Sequence, residues 1–354
     1  MKHRELYKAK GLPVFQNKMF EDLASAVACP VGDLTLVQDM NSGLIYNSTF
    51  DASLLKYDSS YQNEQAHSVM FQQHLNDVKT IIGKHFMGTN LVEIGCGKGY
   101  FLNLLEQSGF KITGVDPAYE GQNPNIIKSF FDSTIGLQAD GIVLRHVLEH
   151  LPDPFSFLLS ICKTNINQGR IYIEVPCFDW ILKHNAWFDL FYEHVNYFRL
   201  ADFHRMFGII HESGHVFGGQ YLYVVADLAS LRRPLLEPNG IISFPSNFLT
   251  GISSIAKNIS RKRNAIWGAA SKGLIFALHM HQAGVKIDLV IDINTAKQNK
   301  YMAGIGLYVF SPQEGLDQLQ NGDNIIILNS NYLNEIKELS QNRYNYLQVD
   351  EYGL

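Results

Sequence analysis

Residues 88–117, GTNLVEIGCGKGYFLNLLEQSGFKITGVDP, constrain this chain more than any other stretch. The apolar run Leu91 to Ile94 enters a turn with glycines at 95, 97 and 99. A helical pattern through Phe101, Leu102, Leu104 and Leu105 follows, and Lys111 to Val115 reads as a second strand ending at Asp116. This is a β-α-β unit whose loop lies at the carboxyl end of the first strand, where open parallel sheets bind ligands.

Glycine lets the main chain turn tightly and approach a ligand closely. The spacing here is G-x-G-x-G, not the G-x-G-x-x-G usual for a pyrophosphate. Glu93 stands two residues before the first glycine. An acidic side chain there repels a pyrophosphate and suits a ligand carrying a sulfonium and an ammonium. Asp116 follows Gly99 by 17 residues, at a strand end where a carboxylate accepts the hydroxyls of a ribose. Cys96 fits the turn as a small residue. The segment resembles the first motif of class I S-adenosylmethionine-dependent methyltransferases. That resemblance implies S-adenosylmethionine as cofactor, with Glu93, Gly95, Cys96, Gly97, Gly99, Asp116 and Pro117 around it.

A chain of 354 residues with 46% hydrophobic content has room for several cores. An α/β chain of three regions is expected: a small N-terminal domain on the substrate side (1–69), a Rossmann-like cofactor domain (70–230) and a second Rossmann-like domain (231–354). The formal charge of −5 and the lack of a basic stripe argue against nucleic acid as a partner; Arg261, Lys262 and Arg263 form one short cluster. Cys29, Cys96, Cys162 and Cys177 contain no C-x-x-C pair and no disulfide framework. The opening MKHRELYKAKG has no apolar signal core, and no 18-residue apolar run occurs. A cytoplasmic protein without a membrane span is expected.

In the N-terminal region, LTLVQD and SGLIYNSTF read as strands about the turn Asn41-Ser42-Gly43. Tyr57, Tyr61, Asn63, Gln65, His67 and Ser68 form a polar, aromatic group before a helix that ends near Phe86. Tyr57 and Asn63 are candidate substrate contacts, and Tyr61 is a candidate hydrogen-bond donor. Phe131 and Asp132, in FFDS, stand where a third strand is expected to end and offer an aromatic face and a carboxylate to an adenine. The strand Gly141 to Leu144 delivers Arg145, His146, Glu149 and His150 to the same rim, read here as facing the cofactor. His146 and His150, with Glu149 near, carry metal-ligating atoms, but no further ligand stands near them in sequence, and no metal is expected. Pro152 and Asp153 open a helix at Pro154.

After the strand GRIYIEVPC comes FDWILKHNAWFDLFYEHVNYFRLADFHRMFG. Its aromatics suit a core. Glu193 and His194 are costly to bury without partners, and they lie past the carboxyl end of a strand, on the ligand side. HVFGGQYLYVVAD supplies two closing strands around Gly218-Gly219. A helix is expected over 240–262. Strand Ala265 to Trp267 then enters a loop, Gly268 to Gly273, with a helix from Leu274. Lys272 beside that helix start suits a phosphate, without the full Walker spacing. KIDLVIDIN, GLYVFSP and NIIILNSNY add further strands.

Together EIGCGKGYF, GVDP, RHVLEHLPDP, EVP, FDLFYEHVNYF and WGAASKG with DIN downstream resemble the sugar C-methyltransferases that act on nucleotide-activated deoxy-ketosugars. The resemblance covers roughly residues 50–335. It implies that Glu193 and His194 match the last two residues of a Tyr-His-Glu-His stretch carrying the base. Tyr197 and Phe198 match the aromatics after it, and Lys272 lies near the substrate. The first histidine of that stretch is missing here, since Tyr192 directly precedes Glu193. The family's zinc site needs two cysteine pairs in the N-terminal region; with Cys29 alone, the zinc is expected to be lost. The N-terminal domain then holds the nucleotide differently, or the acceptor is not a nucleotide sugar.

The chemistry implied is removal of a proton beside a 4-keto group by His194, with Glu193 orienting the imidazole. Tyr192, Tyr197 or Tyr61 stabilises the enolate oxygen, and Asn196 contacts substrate. Methylation of oxygen or nitrogen needs no acidified carbon and is the alternative. A nicotinamide oxidoreductase is disfavoured by Glu93 and the glycine spacing. A non-catalytic binding protein would bind the cofactor without consuming it.

Overall fold

A computed structural model describes residues 2–55, 65–132, 134–259 and 262–351. Its centre is a seven-stranded sheet in the order Ile210–Val216, Tyr221–Asp227, Arg170–Pro176, Gly141–Arg145, Asn90–Ile94, Lys111–Val115, Ile126–Ile127. Five neighbours, from Arg170–Pro176 to Ile126–Ile127, pair in parallel. Tyr221–Asp227 is antiparallel to both its neighbours. The first strand of the unit, Asn90–Ile94, lies between strands that follow it in sequence, so the sheet's switch point falls at its carboxyl end. This is the class I methyltransferase topology.

The flanking helices follow their sequence signals. Ser68 caps Val69–Phe86 by accepting from Phe71 N, and the helix buries Phe71, His74, Leu75, Val78, Ile82 and Phe86 at helical spacing. Asp153 caps Pro154–Thr164, with proline in the first turn.

A second parallel sheet, in the order Val309–Phe310, Leu289–Ile291, Asn264–Trp267, Asn324–Ile327, Asn345–Gln348, has its own switch point beside Asn264–Trp267. The N-terminal region forms an antiparallel sheet of His3–Pro13, Val31–Asp39 and Ile45–Asn47, completed by Asn196–Tyr197 from the aromatic segment. Met19–Phe20 pairs with Tyr301–Met302. One continuous apolar core runs from Leu34 and Leu36 through Ile173 and Phe188 to Ile326. No helix among the described residues is long and apolar enough to cross a membrane.

Several elements differ from the sequence reading. The third strand of the central sheet is Ile126–Ile127, so Phe131 and Asp132 lie beyond it in a loop. The helix expected from 240 begins only at Thr250, after turns in which Gly240 N donates to Glu237 O and Phe248 N to Pro245 O. The helix expected from Leu274 begins at Lys272. His3–Pro13 is a long strand that its charged, non-alternating sequence hides; it is paired on one side by Val31–Asp39.

Candidate active site

The carboxyl ends of both parallel sheets face one cavity of about 360 Å³. The glycine turn forms one wall through Glu93, Gly95, Cys96 and Gly97, and the loop after Asn264–Trp267 forms the opposite wall through Gly268, Ser271, Lys272 and Gly273. Arg145, His146, Glu149, His150 and His194 line the space between them. Gln65, His67 and Ser68 also line it. Tyr57, Tyr61 and Asn63 lie outside the described residues.

The turn has the conformation its glycines permit. Gly95, Gly97 and Gly99 have φ of 75°, 54° and 79°. A Cβ on Gly95 would meet Val147 at 2.4 Å and one on Gly99 would meet Ile126 at 2.6 Å, whereas one on Gly97 would meet nothing within 4 Å. Gly97 therefore leaves room beside bare backbone in the cavity wall. Asp116 is buried and accepts from Gly97 N and Ala118 N, each at 2.8 Å, so its carboxylate braces the turn with acceptor capacity remaining. Glu93 is buried on the cavity wall, and its Oε2 has no hydrogen-bond partner among the described residues. Burial is the main influence on its carboxyl, opposed by Arg145 and reinforced by Asp116 and Glu174, and the result is a pKa pushed up to about 7. An orphaned acceptor beside an open glycine fits a cationic ligand with hydrogen-bond donors, as S-adenosylmethionine has. Glu93 would face its charge, Gly97 its close approach and Asp116 its ribose.

Cys96 lines the turn with its thiol pushed up by burial and by Glu93 and Asp116, which suppresses nucleophilic chemistry. Pro117 continues from Asp116 and is half-buried. Asp132 is exposed and accepts from Thr134 N and Oγ1, and Phe131 packs edge-on against Phe157; neither lines the cavity.

The rim after Gly141–Arg145 is organised by Glu174, which has no exposed surface. Its Oε1 lies 3.2 Å from Arg145, 3.0 Å from His146 and 3.1 Å from His74, and Tyr172 donates to Oε2 at 2.7 Å. Burial alone would raise this carboxyl, but Arg145, His146 and His74 hold it well below the carboxylate range. His146, at φ 53°, sits between Glu174 at Nε2 and Glu149 at Nδ1, the latter 3.3 Å away. Burial pulls its imidazole down, but the two carboxylates prevail and raise it to about 9. Arg145 lies 4.4 Å over the Phe101 ring. These contacts leave Arg145 and His146 as a fixed cationic floor.

His194 comes to this rim through backbone staples. Val195 N donates to Glu149 O at 2.7 Å, and Asn196 Nδ2 donates to Leu148 O and Leu151 O. The His194 ring lies 4.0 Å from Phe191 and 5.0 Å from His150. Burial, and then the positive charge of His150, His146 and Lys272, hold it well below the ordinary histidine pKa. His194 is thus a neutral imidazole at neutral pH, on the cavity wall.

The neighbours assigned to it from sequence are arranged otherwise. The Glu193 carboxylate faces the N-terminal region, accepting from Gln16 N at 2.6 Å, Asn17 N at 3.3 Å and Asn17 Nδ2 at 3.0 Å. Tyr192 donates its ring to the core, and its hydroxyl accepts from Asp51 N. The Tyr197 hydroxyl bonds the main chain of Phe191. Asn196 clamps Leu148 and Leu151. None of these four lines the cavity. Lys272 does, already bonded to Asp189 and Gln220, each at 2.9 Å, and 5.0 Å over Trp180. Gly273 allows that loop to close, since a Cβ there would meet Gly268 O at 1.9 Å.

Sequence reasoning missed Asn17, Asp189, Tyr221 and Asn329 as cavity residues. Tyr221 stacks edge-on over His146 with centroids 4.5 Å apart; its place after Gly218-Gly219 was its only sequence signal.

The fold, the glycine turn and the cationic-ligand wall define an S-adenosylmethionine-dependent methyltransferase. A methyltransferase-domain family model matches residues 58–209, and a model for a C-methyltransferase C-terminal domain matches residues 247–346. The chain is related to C-methyltransferase NovU of Streptomyces niveus, at 25% identity over 292 residues, 70% of this chain and 68% of that one. Among solved structures, the Haloferax volcanii complex of the Trm112 methyltransferase activator with a putative methyltransferase aligns at 14% identity, covering 49% of this chain and 99% of that one, with a TM-score of 0.39. An Archaeoglobus fulgidus SAM-dependent methyltransferase aligns at 21% identity, covering 45% and 99%, with a TM-score of 0.32.

Proposed function

We propose that the chain methylates carbon, on a nucleotide-activated 4-ketosugar. The observation that carries this reading is the neutral, buried imidazole of His194 on a wall of the cavity that the glycine turn also lines. A carbon acceptor becomes a nucleophile only after losing a proton, and an unprotonated imidazole is the group to take it.

In this reading the keto group acidifies the neighbouring C–H. His194 takes the proton, and the C–H electron pair becomes the enolate. Bound S-adenosylmethionine supplies a sulfonium methyl, whose C–S electron pair leaves as the enolate carbon bonds to that methyl. Arg145 and His146 present fixed positive charge to the same space, stabilising the enolate oxygen at no reorganisation cost. Tyr221 and Tyr61 are the phenols proposed to donate to it, and Tyr192 and Tyr197 act by holding the segment that carries His194. Tyr57 and Asn63 keep their proposed role at the substrate.

Carbon is favoured over oxygen and nitrogen by the names of the matched C-terminal model and of the Streptomyces niveus relative. A nucleotide-bearing acceptor is supported by the extent of the cavity along the second sheet, past Lys272, Asp292, Asn294 and Lys297. A cytoplasmic setting is consistent with the four free thiols.

The test is incubation with S-adenosylmethionine and a nucleoside-diphosphate 4-ketosugar, followed by NMR of the product. A new C–CH₃ beside the keto carbon is expected. An O–CH₃ or N–CH₃ product would transfer the chain to the alternative class, and cofactor binding without methyl consumption on any acceptor would make it a binding protein.

A further inference from the structure

We infer that Glu149, His150 and His194 form a site for a zinc-class divalent cation that competes with the proton for His194. Each of the three offers one ligand atom, and those atoms all lie within 4.8 Å of one another. The trio joins a turn, Leu148–His150, to a segment more than 40 residues later, through the staples at Val195 and Asn196.

The second observation is the state of Glu149. It is 1% exposed, lines the cavity, and its Oε2 has no hydrogen-bond partner among the described residues; Oε1 lies at ion-pair distance from His146 Nδ1. A carboxylate buried with an open oxygen is an incomplete arrangement that a cation completes. The tautomer of His150 points the same way. Its Nδ1 lies 2.9 Å from the main-chain oxygen of Glu193, and a carbonyl only accepts, so Nδ1 carries a hydrogen and Nε2 is the ring nitrogen left for an ion. A backbone carbonyl on the far nitrogen is the arrangement that orients metal-binding histidines. Two imidazoles and one carboxylate select zinc or cobalt over magnesium or calcium, and three protein ligands leave a coordination position open to the cavity.

The regulatory half of this inference rests on His194 being the proton acceptor. An ion bound to the imidazole lone pair leaves nothing to accept the proton, so the ion inhibits methyl transfer.

The experiment uses the full chain, stripped with a chelator and titrated with Zn²⁺ or Co²⁺ without acceptor or cofactor. One ion per chain is expected, with visible absorption from Co²⁺ in a low-coordinate site. E149Q and H194N, checked for folding by circular dichroism, are each expected to weaken binding roughly 10-fold or more. Turnover of the wild type should fall on adding Zn²⁺, not Mg²⁺, and return with chelator. No stoichiometric binding, or equal affinity in both variants, would overturn the site. So would E149Q weakening S-adenosylmethionine while leaving Zn²⁺ untouched, since that assigns the open carboxylate to the sulfonium. Zinc bound at these residues without loss of turnover would overturn the competition. Zinc binding that depends on His194, together with full turnover by H194N, would instead remove the base assignment and leave the cation site standing.

Discussion

Val195 N donates to the main-chain oxygen of Glu149 at 2.7 Å, joining the rim of the central sheet to the aromatic segment at the residue after His194. Beside it, the Asn196 amide donates to two carbonyls of the same turn, at Leu148 and Leu151. The Leu148 carbonyl is buried and that of Leu151 partly so, and losing their amide partner costs about 1–3 kcal/mol. Asn196→Ala is therefore expected to lower stability by that order in denaturant unfolding. It should also lower kcat, because His194 loses its fixed approach, while the Kd for S-adenosylmethionine stays within about twofold. An unchanged kcat would show that the staple at Val195 suffices.

His194→Ala is expected to reduce turnover by roughly 10²–10⁴-fold, the range of a positioned general base, with cofactor affinity near normal. The pH profile carries the sign. A base acts only when unprotonated, and this imidazole is held below its ordinary value by burial and then by His150, His146 and Lys272. The acid limb of kcat/KM should therefore fall below pH 6.5, the ordinary histidine value of about 6.5. A limb above that value would exclude His194 as the group titrating.

How much of this was legible in the sequence depends on range. The glycine turn, Glu93, Asp116, the closing strands around Gly218-Gly219 and the second α/β unit all follow from local pattern, since each lies within one β-α unit or hairpin. Partners across the fold do not. Glu193 reads as a neighbour of His194, yet it lies in a turn closed by His194 N donating to Phe191 O, and its carboxylate faces Gln16 and Asn17, more than 170 residues away in sequence. Asn17 and Tyr221 reach the cavity by tertiary packing that no spacing encodes. Phe131 and Asp132 fall beyond the third strand because that strand, Ile126–Ile127, has only two residues, too few to show periodicity.

Glu193 consequently separates into a different prediction. Its carboxylate receives three hydrogen bonds from Gln16 and Asn17, and Asn17 in turn accepts from Ser271 of the opposite wall at 3.0 Å. Glu193→Gln keeps one acceptor oxygen and introduces an amide against those donors. A stability loss of about 1–3 kcal/mol is expected. The acid limb of kcat/KM should stay where it is, since Glu193 does not hold the His194 ring. A limb displaced by half a pH unit or more would restore Glu193 as the orienting group.

The glycine turn separates cofactor space from fold. Alanine at Gly97 or Gly99 bears left-handed backbone strain of about 1–2 kcal/mol. At Gly99 the new methyl also meets Ile126 at 2.6 Å, while at Gly97 it meets no protein atom within 4 Å. Gly99→Ala should accordingly be the less stable of the two by thermal unfolding. Gly97→Ala should keep more of its stability and lose the greater share of S-adenosylmethionine affinity by calorimetry. Equal cofactor affinity in wild type and Gly97→Ala would mean that the open space there is not the cofactor's.

The Glu174 hub makes stability depend on pH from both sides. Its carboxyl is depressed in the folded chain, so its contribution is present above the ordinary value of about 4.5 and is lost as pH falls through the folded value. His146 is raised to about 9, so its contribution is full below the ordinary value of about 6.5 and is lost as pH rises through about 9. The contribution of these two groups should therefore be level between about pH 4.5 and 6.5, then decline toward pH 9. Glu174→Gln removes the shared partner of Arg145, His146 and His74. Breaking a buried ion pair costs about 3–5 kcal/mol, so a large drop in melting temperature is expected near neutral pH, shrinking in acid where Glu174 itself is protonated. The alkaline decline should also become shallower, because His146 without Glu174 titrates closer to its ordinary value. An alkaline slope as steep in the variant as in the wild type would assign the decline to another group and detach His146 from the hub.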